Sequence, residues 1–155
     1  ALGVGPDGRV LAVGTEATNE RRFEPNLKAT FVRVRAGSFP AANPANTLIA
    51  DLNPHLDYQV TSVAPAVREQ SVGDPRGVAF QADGSAWISG MGSNNVIRAD
   101  ATGARLARID VGQGPTGLVL DPVRSRLFVL NKFDASVSVI DTAANSELAR
   151  VAFFD

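Results

Sequence analysis

Apolar residues in this chain fall in short runs separated by turn-forming residues, the pattern of strands and not of helices. Gly77-Val78-Ala79-Phe80 and Gly117-Leu118-Val119-Leu120 are two such runs, and each ends in a turn, Gln81-Ala82-Asp83-Gly84 or Asp121-Pro122-Val123-Arg124-Ser125. A second strand follows each turn, Ala86-Trp87-Ile88-Ser89 and Leu127-Phe128-Val129-Leu130. Beyond a polar loop come Asn95-Val96-Ile97-Arg98 and Ser136-Val137-Ser138-Val139-Ile140, closed by Asp100 and Asp141. Those two aspartates precede small residues, where a carboxylate accepts local backbone N–H bonds. Fourth strands are expected over 105–111 and 147–153. The longest helix-compatible stretch, 64–70, contains Pro65 and is too short to alter the class.

The same succession recurs at a fixed interval. Pro75 and Gly77 lie forty residues before Pro115 and Gly117, and Val96 and Asp100 lie forty-one before Val137 and Asp141. Leu106-Ala107-Arg108 precedes Leu148-Ala149-Arg150 by forty-two, so the drift accumulates in turns, where it is tolerated. Asp7-Gly8 and Gly14 lie seventy-six residues before Asp83-Gly84 and Gly90 and bring the first segment into register. Four antiparallel strands in about forty residues is the blade of a β-propeller, which buries its sheets by packing each blade on its neighbours.

The predicted organisation is all-β, with three four-stranded antiparallel blades: an irregular one over 1–73, a second over 74–113 and a third over 114–155. The first carries a long insertion at about 15–46, with a Pro-rich tract near its end. Two strand-like pieces, 29–35 and 47–52, compete for its third strand, and the other would be a surface excursion. Three blades cannot close a ring, so the chain is expected to be a propeller fragment that further polypeptide completes. Its opening, Ala1-Leu2-Gly3-Val4-Gly5-Pro6, reads as mid-strand and turn, which predicts an upstream segment.

Leu127-Phe128-Val129-Leu130-Asn131 followed by Ser136-Val137-Ser138-Val139-Ile140-Asp141 resembles the bacterial propeller repeat named for its Tyr-Val-Thr-Asn tetrapeptide. Pro75-Arg76-Gly77-Val78-Ala79 and Pro115-Thr116-Gly117-Leu118-Val119 match that family's Pro-x-Gly-Val-Ala frame. The likeness covers 74–155 well, 1–14 moderately and the insertion poorly; Trp87-Ile88-Ser89-Gly90 and Val10-Leu11-Ala12-Val13-Gly14 depart from the tetrapeptide. The resemblance implies a periplasmic or cell-surface protein with seven or eight blades. Gly90-Met91-Gly92-Ser93-Asn94-Asn95-Val96 and the closing Val151-Ala152-Phe153-Phe154-Asp155 are similar to haem-associated members, which implies a cytochrome-like partner, with any haem outside these residues.

Composition narrows the picture further. An apolar share of 45% and a charged share of 20% are those of a globular chain. A formal charge of −1 lacks the basic footprint of nucleic-acid binding. Cysteine is absent, which removes disulfides, thiolate metal sites and C-x-x-C-H haem attachment from these residues. No apolar run approaches the roughly 18 residues of a membrane-spanning helix.

Few residues suggest chemistry. His55, the only histidine, stands among Asp51, Asp57 and Tyr58 and could join a metal or acid–base site, but a surface turn capped by carboxylates accounts for the same residues. The recurrence of Asp7-Gly8 and Asp83-Gly84 points to turns and not to calcium. The glycines of 90–94 lack the ending of a phosphate loop and are expected to supply positive φ, and Trp87 is read as blade packing.

In a propeller the loops leading to each innermost strand share a face with those joining second and third strands. That rule gathers Asp74, Arg76, Gln113, Thr116, Asn94, Asn131, Lys132 and the 15–22 segment, in which Arg21 and Arg22 lie. Arg21, Arg22, Arg76, Asn94, Asn131 and Lys132 form the candidate ligand or partner face, with the cations suiting an anionic ligand or acidic partner. The expected function is a non-enzymatic binding or scaffold module that docks a redox partner. The alternative is the propeller portion of a dehydrogenase or a lactonase-like hydrolase, with catalytic residues mostly outside this chain.

Overall fold

The computed structural model describes residues 1–17, 32–60 and 62–154. Their strands form three separate four-stranded antiparallel sheets. The first holds β1 (Leu2–Val4), β2 (Arg9–Ala17), β3 (Val32–Pro40) and β4 (Leu48–Asp51), in that order. After helix α1 (Pro65–Arg68) come β5 (Pro75–Phe80), β6 (Ala86–Gly90), β7 (Asn95–Ala99) and β8 (Arg105–Asp110). The third holds β9 (Pro115–Asp121), β10 (Arg126–Asn131), β11 (Ser136–Asp141) and β12 (Ser146–Ala152). The chain is all-β, as its strand pattern predicts, with three sheets arranged as propeller blades.

Within the described residues, the first blade is a complete four-stranded sheet. β2 runs past Gly14, and Thr15, Glu16 and Ala17 pair with Val34, Arg33 and Val32. Val34 and Ala36 fall on the buried face while Arg33 and Arg35 take the alternate positions, and this register makes 32–40 the third strand. The second strand-like piece is the fourth strand, β4, paired with β3 through Arg35↔Asp51 and Ala36↔Ala50. Neither piece is a surface excursion. Of the predicted insertion, 18–31 lie outside the described residues; a further long connection, 52–74, carries α1, whereas blades 2 and 3 are joined by only 111–114.

Two apolar cores lie between the blades. Val13, Val34, Ala36 and Leu52 of the first side meet Val72, Ile88, Ile97 and Ala99 of the second. On its other face blade 2 sets Trp87, Val96, Ile109 and Val111 against Leu127, Val129 and Ile140 of blade 3. Both faces of blade 2 are thus covered, and every residue of β6 is buried. Trp87 is fully enclosed, a packing residue.

The turns repeat as well. Left-handed φ falls on Gly8, Gly84 and Ser125 between first and second strands, on Asn94 and Ala135 between second and third, and on Gly103 and Asn145 between third and fourth. In the β6–β7 loop the positive φ is carried by Asn94 and not by Gly90 or Gly92. Gly90 answers to crowding instead: a Cβ there would stand 2.7 Å from Val72 Cγ2. Asp100 Oδ1 accepts N–H bonds from Thr102 (2.8 Å) and Ala104 (3.0 Å), and Asp141 Oδ1 accepts them from Ala143 and Ala144 (both 2.9 Å). These bonds hold both carboxyls below the usual carboxylate range, the Thr102 hydroxyl contributing most at Asp100 and the Ala144 amide at Asp141. Asp83 is lowered in the same way, chiefly by Ser85, so the Asp-Gly turns use their carboxylates locally.

Candidate functional site

Hydrogen bonds tie the loops of one face together. Ser93 Oγ accepts the Gly73 N–H (2.9 Å), and Asp134 Oδ2 at the equivalent place accepts that of Gln113 (2.8 Å). Backbone bonds from Gly92 to Gly73, Met91 to Asp74, Lys132 to Gly114 and Phe133 to Gln113 complete both junctions. Asn94 Oδ1 crosses from blade 2 to accept the Gly114 N–H at 2.9 Å. The starts of β5 and β9 are therefore fastened to the loops between the second and third strands of their own blades.

The predicted residues fare differently within this frame. Arg76 is exposed, but its Nη2 donates to Asp74 Oδ2 at 2.9 Å, so its charge is matched by a carboxylate. Asn94 spends its side-chain acceptor on the link between blades. Lys132 is exposed beside Phe133, whose ring lies on Gly114. Asn131 belongs to no exposed face: it is fully buried, and Nδ2 donates to Ser136 Oγ (3.0 Å) and Ser138 Oγ (2.9 Å). Strand alternation is the reason, because Asn131 continues the inward series of Leu127 and Val129 on β10. Arg21 and Arg22 lie outside the described residues.

The 52–74 connection adds what the repeat lacks. Asn53 and Val72 form a reciprocal pair, Val72 N–H to Asn53 Oδ1 and Asn53 Nδ2 to Val72 O, both 2.8 Å. From β8, Arg105 reaches over to donate to Gln70 O (2.5 Å), Leu52 O (2.6 Å) and Asn53 Oδ1 (3.0 Å). His55 Nε2 meets Ser71 Oγ at 3.1 Å. Burial lowers the imidazole pKa, and the Arg105 charge lowers it further. Alongside, the Arg33 guanidinium stacks 4.3 Å from the Tyr58 ring centre, and burial first, then the Asp51 carboxylate, pushes the Tyr58 phenol well above its ordinary range. His55 thus serves the connection's own packing.

Between α1 and blade 2 the connection encloses an open cavity of about 520 Å³. Gly92, Ser93 and Asn94 line it together with Arg68, Glu69, Arg108 and Asp110. Arg108 and Asp110 form a two-bond ion pair of 2.6 and 3.2 Å, and the Arg108 Nε is buried without a partner among the described residues. Two cations, two carboxylates, a hydroxyl and an amide make this a polar, charge-balanced cleft of ligand-pocket size. Among the described residues no group of three His, Asp or Glu stands where it could hold a metal ion. Of the cleft only Asn94 is among the sequence candidates. Arg68 and Glu69 sit in a connection with no counterpart elsewhere in the chain, and Ser93 and Arg108 look like ordinary repeat positions.

Solved structures place this geometry in a fold. The chain superposes on hydrazine synthase of Kuenenia stuttgartiensis with a TM-score of 0.69 and 18% identity, covering 92% of this chain and 45% of that one. This is the fold of a β-propeller. A functionally unknown protein from Desulfotomaculum acetoxidans matches with a TM-score of 0.59 and 17% identity over 99% of this chain and 42% of its own. Virginiamycin B lyase from Staphylococcus aureus, solved with quinupristin, matches with a TM-score of 0.52 and 12% identity over 98% of this chain and 54% of its own. No family model matches the chain, nor does any curated protein. The chain spans about half the length of these neighbours or less, and at such identities the likeness shows the fold alone.

Proposed function

We propose that the chain is a binding and scaffold part of a β-propeller protein of the bacterial periplasm or cell surface, and that the face carrying the β6–β7 and β10–β11 loops receives its partner. The observation that carries this reading is the 52–74 connection. It departs from the repeat plan, is fastened by Asn53 and Arg105, and builds the polar cleft over the β6–β7 loop. Long, well-anchored connections on a rigid scaffold are where propellers place recognition. The likeness to haem-associated repeats supports a cytochrome-like protein as the partner, engaged through polar contacts around Arg68 and Lys132.

Calorimetric titration of the chain with a soluble monohaem c-type cytochrome tests this. Binding is expected, with Arg68→Glu weakening it about tenfold, an effect of roughly 1.4 kcal/mol. Val123→Glu, in the exposed turn on the opposite face, is expected to leave it unchanged. An absence of binding, or equal loss with both variants, contradicts the assignment.

A further inference from the structure

The cleft beside α1 departs from the repeat in the charges that it exposes. Leu106-Ala107-Arg108 recurs as Leu148-Ala149-Arg150, but two residues further on Asp110 gives way to Ala152. Strand pairing supports the match, since Asp110 lies opposite Asn95 and Ala152 opposite Ser136. Arg150 turns instead to Glu147, at 3.0 and 3.1 Å, so a carboxylate at the place of Asp110 is no requirement of a blade. Blade 2 has one where the 52–74 connection faces it across the cavity.

Arg108 and Asp110 stand two apart on β8 and so point to the same side of the sheet. Both oxygens of Asp110 accept from Arg108, yet the arginine side chain is 19% exposed and the aspartate side chain 73%. The covered guanidinium thus holds an open carboxylate at the cleft, and that carboxylate keeps acceptor capacity on its outer side. Across the cavity Arg68 ends α1 and Glu69 caps it. Both are exposed, and neither joins an ion pair among the described residues. Asn94 gives its Oδ1 to Gly114, which leaves its Nδ2 as a donor. The Gly92 and Ser93 N–H groups are spent within the chain, on Gly73 O and Gly90 O.

We propose that the cleft binds a small zwitterion of amino-acid or dipeptide size, its ammonium held by Glu69 and Asp110 and its carboxylate by Arg68 and the Asn94 Nδ2. The charges lining the cleft cancel, so a simple anion meets two carboxylates and a simple cation meets two guanidiniums. A molecule that carries both signs leaves neither kind of group opposed. The volume of about 520 Å³ is that of a ligand pocket, and no aromatic side chain lines it to favour a flat ring. By reaching from α1 to β8 the ligand also fastens the connection to blade 2. The inference goes beyond the docking of a protein partner and does not rest on it.

Glycylglycine, titrated at neutral pH into the 155-residue chain and followed by amide NMR, tests this. Saturable shifts are expected at the Gly92, Ser93 and Asn94 amides, with a Kd of about 1 mM. Hydrogen exchange of the Val67 and Glu69 amides, which are bonded within the α1 segment, is expected to slow as the ligand fastens the connection. N-acetylglycylglycine lacks the ammonium and glycylglycinamide lacks the carboxylate, and each is expected to bind about tenfold more weakly or worse. Arg68→Gln and Glu69→Gln, both at exposed positions, are expected to weaken glycylglycine to the same extent, and Val123→Glu to leave it unchanged. Equal binding of the three probes, or equal binding of glycylglycine by the Arg68 and Glu69 variants, overturns the proposal. So do shifts centred outside the cleft, or no saturable shift up to about 20 mM. No protein partner is present, so this result is separate from that of the cytochrome titration.

Discussion

Asn53 and Val72 close a buried ring of two hydrogen bonds, and Arg105 adds a third contact to the same amide. An apolar side chain at 53 would strand both backbone groups of Val72 out of reach of water. Asn53→Leu is therefore expected to cost about 2–6 kcal/mol, the sum for two orphaned buried groups, read as a lower urea midpoint at unchanged slope. A change within a few tenths of a kcal/mol would show that the ring does not hold the connection. Little in the sequence marks Asn53, because its partner lies far along a segment that repeats nowhere. Glycine positions show the same division. Gly14 and Gly90 match across the repeat, yet Gly90 ends a strand against Val72 while Gly14 has open space around it inside a longer strand.

Strands and turns were legible as elements wherever the repeat supplied a second copy. The strands of blades 2 and 3 follow their apolar runs closely, and Asp100 and Asp141 cap their turns as their spacing suggests. Blade 1 was legible only in part. Asp51 resembles the aspartates that close third strands, but it closes the fourth, since the 32–40 run offers β2 a longer matching register. The cleft was hidden for a related reason: periodicity locates α1 but not the blade it leans on. Within that connection His55 gives a pH readout. Burial sets its folded pKa below the unfolded value of about 6.5, so its contribution is present above that value and is lost as pH falls through the folded pKa. Acidification is expected to loosen 52–74 before the blades. An NMR titration of the single imidazole should give a midpoint under about 6.5. A midpoint above that value would mean that protonation favours the packed connection.

At the scale of the whole molecule, the inner strands of successive blades lie next to one another: β1 against β5, and β5 against β9. Each interface joins an apolar face of one blade to that of the next, which is how a propeller builds a continuous core from units that cannot bury themselves. The single tryptophan reports on this arrangement directly, because Trp87 sits on blade 2 and is enclosed by residues of blade 3. Proton NOEs from its indole ring measure whether the blades stack in this order. The stacked fold predicts cross-peaks to the methyl groups of Leu127, Val129 or Ile140 together with those of Val96 and Ile109. Cross-peaks confined to blade 2, with the indole open to fluorescence quenching by acrylamide, would contradict it.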